Sequence, residues 1–201
     1  MNRIIMLIAV VLLVFTVYWF KFRETPPEAP KQEALVTTRH SAAFNSSIDR
    51  LTNEYLKVKE AFVNADTAAA KAATQIFAAQ ISNLHLYELK TDSNAVFESV
   101  QAQAADIKAN AESLLQQKDV TEMRQDFRMV SESMYPFLKS VHYEGKVLYW
   151  QNCPMAFGDG KEANWISNTK EIVNPYLGKN HPEFKGTMLH CGQVMDSITA
   201  H

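Results

Sequence analysis

Cysteine and glycine are scarce in this chain, and the patterns that most enzymes need are missing from it. Only 2 of its 201 residues are cysteine and only 6 are glycine. There is no GxSxG nucleophile motif, and the GDG segment lacks the lysine and the helix context of a phosphate-binding loop. The two cysteines are too far apart in sequence to form the CxxC pair of a thiol oxidoreductase. We therefore expect a protein that is not an enzyme.

An excess of basic charge is also missing. The chain has 20 lysines and arginines against 22 aspartates and glutamates, which gives a formal net charge of −2. Domains that bind nucleic acid usually carry clustered Lys and Arg, so we expect no nucleic-acid partner. The hydrophobic fraction of 47% is typical of a globular chain with room for one core.

A long apolar run occupies the start of the sequence. Residues 4–20 are almost all apolar, with Arg3 before them and Lys21 and Arg23 after them. This length is at the short end of what crosses about 30 Å of hydrocarbon, and the VYWFKF that ends the run is typical of a membrane interface. No small-x-small cleavage motif follows, which favours an uncleaved transmembrane anchor over residues 1–23 rather than a removed signal peptide. We expect a single-pass inner-membrane protein with a periplasmic C-terminal domain.

A proline-rich linker, residues 24–40, separates this anchor from a domain over residues 41–201. Apolar side chains then recur at helical spacing in four stretches. The first stripe is Phe44, Ile48, Leu51, Tyr55, Val58 and Phe62; the second is Ala73, Ile76, Phe77, Gln80, Ile81 and Leu84; the third is Val96, Phe97, Val100, Ala104, Ile107, Ala111 and Leu114; the fourth is Met123, Phe127, Val130, Met134, Phe137, Leu138 and Val141. Asp66 and Asp119 are placed to cap the second and fourth helices, and Pro136 is expected to kink or shorten the last one. The pattern predicts an all-α, up-down four-helix bundle, with an extended pair of helical hairpins as the alternative.

The helical period ends after Gly145, and residues 146–201 are predicted to form a small irregular or β-hairpin-like appendage. KVLYWQNC has the composition of a strand, and TMLHCGQVMDSI is a second short apolar piece that could pair with it. ANWISN is interpreted as a short helical or extended turn, and Asn174 and Gly178 as turn formers. This region has too little apolar mass to fold alone, so we expect it to lie against the bundle.

Both cysteines lie in this appendage, and each has a methionine close by. The first segment holds Cys153 and Met155, and the second holds Met188, His190 and Cys191. Thiolate and thioether sulfurs prefer soft ions such as Cu(I), and imidazole also binds copper and zinc, so these five residues form a candidate metal site. A disulfide is the ordinary expectation for two cysteines in an exported domain, and simple apolar packing is a third reading. The residues alone leave these alternatives open.

These segments resemble two known patterns. YWQNCPMAF followed by MLHCGQV is similar to the CPM and CG pattern of small heavy-metal-binding modules, although their second segment usually carries two cysteines and this one carries a single cysteine. The region from about Phe44 to Ile198 resembles a bacterial domain of unknown function, the DUF3347 family. The residues that match the family's signature are Cys153, Pro154, Met155, Trp165, Ser167, Asn174, Pro175, Tyr176, Gly178, Met188, Cys191 and Gly192.

Members of the DUF3347 family are found alone behind a signal or anchor, or fused to periplasmic adaptor subunits of heavy-metal efflux pumps. The resemblance implies a helical bundle that handles metal, with an efflux adaptor or pump as partner. Met188 or His190 would replace the missing second cysteine, which favours Cu(I) over a thiolate-rich zinc site. The alternative is a structural or interaction domain of a membrane complex, in which Cys153 and Cys191 form a disulfide.

Overall fold

A computed structural model of the chain describes residues 40–199, together with seven residues near the N-terminus: Leu12, Leu13, Phe15, Thr16, Tyr18, Trp19 and Lys21. These seven are helical and exposed, and the rest of the predicted anchor and nearly all of the predicted linker lie outside the described residues. The chain divides into two compact units, residues 1–37 and 38–201. Among the described residues, no helix is both long and apolar enough to span a bilayer.

The second unit begins with four consecutive helices, each packed on the next. They are α1 (Ala42–Val63), α2 (Thr67–Ser82), α3 (Asn94–Gln116) and α4 (Val120–Ser140). A 3-10 helix, Leu86–Thr91, connects α2 to α3 and was not predicted. Each helix begins at a side chain that accepts a hydrogen bond from a backbone N–H of the first turn; the capping residues are Ser41, Asp66, Ser93 and Asp119. The predicted caps at Asp66 and Asp119 are confirmed.

The predicted stripes form most of the helical core, with one clear exception in α2. Ile76 is 49% exposed, whereas Ala70 and Thr74 are buried. Because α2 is rich in alanine, several of its faces are equally apolar, and the spacing of its few large residues did not identify the buried one. Pro136 does not shorten α4, which continues past it to Ser140.

The C-terminal region contains a three-stranded antiparallel sheet, which is more than the predicted hairpin-like appendage. Its strands are β1 (Leu148–Cys153), β2 (Ala163–Ser167) and β3 (Gln193–Ile198), in the order β2-β1-β3. The prediction of a turn at ANWISN was wrong, because Trp165 and Ile166 are buried in a strand there. The all-α class is corrected accordingly to four helices with a small C-terminal sheet.

A tyrosine of α1 forms a buried hydrogen-bonded link between the edge strand β2 and the helices. The backbone N–H of Ile166 donates to Oη of Tyr55 in α1 over 3.0 Å, and that oxygen lies 2.7 Å from Oγ of Ser131 in α4. The Tyr55 ring also stacks on Phe127 of α4, with ring centres 5.4 Å apart. A buried edge N–H needs a partner, and here the helices provide it. The sheet is therefore part of the same core as the bundle.

Candidate functional site

The pairing of β1 with β3 brings the two cysteines together. Cys153 is the last residue of β1, and only Gly192 separates Cys191 from β3. The two strands are antiparallel with Asn152 opposite Gln193, so the residues just beyond this pair are neighbours. Both cysteines are free thiols, and their sulfur atoms are 2.7 Å apart. The structure thus brings the two cysteines of the candidate site into contact.

Gly192 allows this close approach. Its φ is +144°, and a Cβ atom at this position would lie 2.6 Å from the carbonyl oxygen of Asn152. Any other residue would both strain the backbone and push the two segments apart. The positive φ and the close approach to Asn152 therefore explain why glycine follows Cys191 in the sequence.

Asn174 fixes the loop that carries Cys191. Its side chain is fully buried, and Nδ2 donates a 2.9 Å hydrogen bond to the carbonyl oxygen of Cys191. Its Oδ1 accepts from the backbone N–H groups of Tyr176 and Leu177 at 2.8 and 3.0 Å. This is the turn chemistry expected of asparagine, and it confirms the predicted role of Asn174. Gly178, the other predicted turn former, lies against the end of α1, where a Cβ would be 2.4 Å from the carbonyl oxygen of Val63.

The environments of the two thiols differ. Cys153 is completely buried, whereas Cys191 is partly exposed and gives the pair its contact with solvent. Burial, together with the neighbouring Cys153, raises the pKa of the Cys191 thiol to about 12. Cys191 therefore keeps its proton at neutral pH, and a metal ion that binds this sulfur would have to displace the proton. Trp165 and Tyr176 are buried and in edge-to-face contact, so their rings serve as packing.

The other three predicted ligands, Met155, Met188 and His190, make no recorded contact with the two cysteine sulfurs. Met155 and Met188 are partly buried and pack against the hydrophobic core, and Met155 lines a cavity that contains neither cysteine. His190 is exposed, and its Nδ1 is 2.7 Å from the carbonyl oxygen of Ile172. Within the described residues, no three His, Cys, Asp or Glu side chains come together as a metal site. The five-residue site stays a prediction.

The sulfur pair fits a soft ion of low coordination number better than zinc, which takes four protein ligands in structural sites. Metal–thiolate bonds are about 2.3 Å for zinc, so a bound ion would require the sulfurs to separate from their 2.7 Å contact. A disulfide would require them to approach to about 2.05 Å. The two changes have opposite directions, and Cys191 is the partly exposed member of the pair.

The sequence interpretation missed Arg124 of α4. This arginine is buried with a relative exposure of 3%, and it lines the cavity that Met155 also lines. It lies three residues before Phe127 and seven before Ser131, both of which are buried on the same face of α4. The sequence signal that could have identified Arg124 is its spacing, which places a charged residue on the apolar face of α4.

Comparison with known proteins bears on the helices. The model of a family described as a protein of unknown function (DUF3347) matches residues 51–146. The helical part of the chain is thus similar to this family. The match runs from α1 to just beyond α4, covers just under half of the chain and ends before Cys153. The DUF3347 prediction is thus confirmed, whereas the cysteine signature lies outside the matched segment. No curated protein and no solved structure matches the chain.

Proposed function

We propose that this protein is a membrane-anchored periplasmic domain that binds a soft metal ion, Cu(I) in the first instance, through Cys153 and Cys191. The contact between their sulfur atoms supports the proposal, because it joins two residues 38 positions apart in sequence. Soft ions prefer sulfur ligands, and a site with few ligands and one solvent-facing side can release its ion. A heavy-metal efflux adaptor or pump would receive it, and the N-terminal helix would hold the domain at the membrane.

In this proposal, Met155, Met188 and His190 are auxiliary ligands. Both methionines are partly buried and close in sequence to a cysteine, and a thioether is a ligand that soft ions accept. The Nδ1 of His190 is hydrogen-bonded to the carbonyl oxygen of Ile172, which leaves Nε2 as the coordinating atom. A backbone carbonyl in this position is the usual orienting partner of a metal-binding histidine.

Competition for Cu(I) tests this function. The reduced full chain is titrated with Cu(I) against a coloured Cu(I) chelator, alongside Cys153→Ser, Cys191→Ser and the control Met129→Leu, which alters an exposed methionine of α4. We expect one ion per chain. Each cysteine variant should lose more than about 100-fold in affinity, because loss of a ligand exceeds the 10- to 100-fold effect of a supporting residue. A wild-type chain that competes no better than the cysteine variants would refute the proposal.

A structural disulfide is the second candidate, and the 2.7 Å sulfur contact also favours it. The domain would then be an interaction module of a membrane complex, with its C-terminal loop pinned by Cys153–Cys191. The chain-entropy model gives about 4 kcal/mol of stabilisation for a loop of this length. Thiol counting before and after reduction distinguishes the two: locked thiols, together with no Cu(I) binding after reduction, would favour the interaction module.

A further inference from the structure

A second candidate site lies along α1, away from the cysteine pair. A groove of about 610 Å³ follows this helix and is also bordered by Asn168, which comes directly after β2. Its volume is within the range of small-molecule pockets. The charged residues of its lining are Arg50, Glu54, Lys57, Lys59 and Glu60. The groove shares no lining residue with the five residues of the proposed metal site.

Lys59 is the buried member of this lining. Its side chain is 8% exposed, whereas that of Lys57 is 63% exposed. Lys59 is four residues from both Tyr55 and Val63, which are buried in the core on the same face of α1. Lysine is rarely buried without a partner, and removing an ammonium group from water is costly. This position therefore favours the uncharged amine.

The amine of Lys59 reaches the groove and forms no hydrogen bond within the described part of the chain. Nζ is 3.8 Å from Oε2 of Glu60, which is too far for a hydrogen bond. Nζ is not one of the fully buried unpaired nitrogen atoms, so it keeps some accessible surface. The Glu60 side chain is 54% exposed and lines the same groove. A small molecule in the groove can therefore contact Nζ.

The environment also makes this amine more nucleophilic than its neighbour. Burial lowers the pKa of Lys59, and the charge of Glu60 only partly offsets this effect. A lower pKa increases the fraction of free amine at neutral pH, and the free amine is the form that attacks a carbonyl carbon. Lys57, in contrast, donates a 2.8 Å hydrogen bond to Oε1 of Glu54. Its nitrogen is already engaged.

Glu60 is placed to move protons to and from this amine. Its Oε1 accepts a 3.2 Å hydrogen bond from Nδ2 of Asn64, which leaves Oε2 on the side of Lys59. Formation of an imine needs a proton acceptor when the amine adds to the carbonyl and a proton donor when water leaves. A carboxylate 3.8 Å from the nitrogen can serve both steps through one water molecule.

The rest of the lining indicates which carbonyl compounds would fit. Arg50 and Lys57 are balanced by Glu54 and Glu60, so with Lys59 uncharged the groove has no surplus charge to attract an ion. Leu56 is the one apolar side chain of the lining, and the amide of Asn168 can bind a hydroxyl group. This composition favours a small, uncharged, polar ligand.

We propose that the groove is a covalent binding site for small, uncharged, polar aldehydes, which form a Schiff base with Nζ of Lys59. The lone pair of Nζ attacks the carbonyl carbon. Both nitrogen protons pass by way of Glu60 to the former carbonyl oxygen, which leaves as water as the C=N bond forms. The reaction needs neither an oxidant nor a reductant, and hydrolysis reverses it.

Reductive trapping in the full chain tests the proposal. The protein is incubated at pH 7 with glycolaldehyde and sodium cyanoborohydride, which donates hydride to the imine and leaves a stable secondary amine that peptide mass spectrometry can locate. We expect Lys59 to be labelled at least about tenfold faster than Lys57, because the free amine is the reactive form. Labelling of Lys59 that is no faster than that of Lys57 would overturn the proposal.

Two controls assign the selectivity to the groove. In urea that unfolds the domain, the two lysines should be labelled equally, and a preference for Lys59 that persists there would show that the fold is not its cause. The ratio of Lys59 to Lys57 labelling should also fall when glycolaldehyde is replaced by the anion glyoxylate or by the apolar hexanal. A higher ratio with either compound would refute the proposed ligand class.

Glu60→Gln separates proton transfer from a simple charge effect. Loss of the negative charge would lower the pKa of Lys59 further, because Glu60 raises it in the native protein. A role through charge alone therefore predicts faster labelling of Lys59. We expect labelling to be slower by about tenfold or more, since a positioned acid or base contributes at least this much to proton transfer. Unchanged or faster labelling would exclude Glu60 as the proton carrier.

Discussion

The hydroxyl of Tyr55 is the buried polar link between the helices and the sheet, and its removal tests how the C-terminal region is held. Tyr55 is completely buried, and burial raises its pKa, so the hydroxyl stays protonated. Oγ of Ser131 donates its one hydrogen to the carbonyl oxygen of Phe127 at 2.9 Å, so Tyr55 is the donor in the Tyr55–Ser131 bond. In Tyr55→Phe, the N–H of Ile166 alone loses its acceptor.

The expected loss follows from this single orphaned group. Leaving a buried N–H without a partner costs about 1–3 kcal/mol. The phenyl ring remains, so its stacking on Phe127 is preserved and no cavity is created. We expect Tyr55→Phe to lower the free energy of unfolding by about 2 kcal/mol. For a domain of this size, that corresponds to a fall in Tm of about 4–8 °C.

Urea unfolding of the full chain, followed by circular dichroism, measures this loss. Tyr87→Phe is the matched control, because Tyr87 is 73% exposed and should change stability by less than about 0.5 kcal/mol. If Tyr55→Phe is no less stable than Tyr87→Phe, the hydroxyl does not hold the sheet on the helices, and the reasoning is wrong. A double-mutant cycle with Ser131→Ala isolates the Tyr55–Ser131 part of the link.

The cysteine loop and the outer strand provide three further tests. Alkylation of Cys191 in the reduced protein should be slow at pH 7 and rise about tenfold per pH unit toward its pKa of about 12, because the thiolate is the reactive form; a rate independent of pH would contradict this. Gly192→Ala should lower the free energy of unfolding by more than about 1 kcal/mol, since φ is +144° and the new Cβ would be 2.6 Å from the carbonyl oxygen of Asn152; unchanged urea unfolding would disprove the steric argument. Asp196 has a pKa lowered from 3.8 to about 2, chiefly by its hydrogen bond from Lys139, so its contribution to stability is present above pH 4 and is lost as the pH falls to 2. The Tm difference between wild type and Asp196→Asn should therefore shrink over that range, and a difference that grows on acidification would have the wrong sign.

The helices were predictable because each buries one face against the others. In α1, all six residues of the predicted stripe are buried, and Asp66 and Asp119 begin helices where their side-chain chemistry indicated. The prediction failed at Ile76, where the alanine-rich neighbours gave no contrast between faces. Periodicity identifies a buried face only when the opposite face is polar.

The sheet was harder to predict, because its strands lack a regular alternation. In β3, five of six residues are exposed, including the apolar Val194 and Met195. This peripheral strand is held by backbone pairing with β1 and by the contact of Asp196 with Lys139, and neither interaction produces a hydrophobic pattern in the sequence. The local sequences made Cys153 and Cys191 candidate neighbours but left separate packing of each open, and the cavity beside Arg124 depends on how distant segments pack.

The tyrosine link and the aromatic side chains after β1 also determine how much of the chain the helices need as a cover. Trp165, Ile166 and Tyr176 belong to the same core as Phe127, and Tyr176 and Phe127 have ring centres 6.0 Å apart. A polypeptide that stopped at residue 146, the end of the family match, would expose those faces of α1 and α4 to water. The C-terminal region with its cysteine loop is thus an integral part of the domain. A change that destabilises this loop should also lower the melting temperature of the helices.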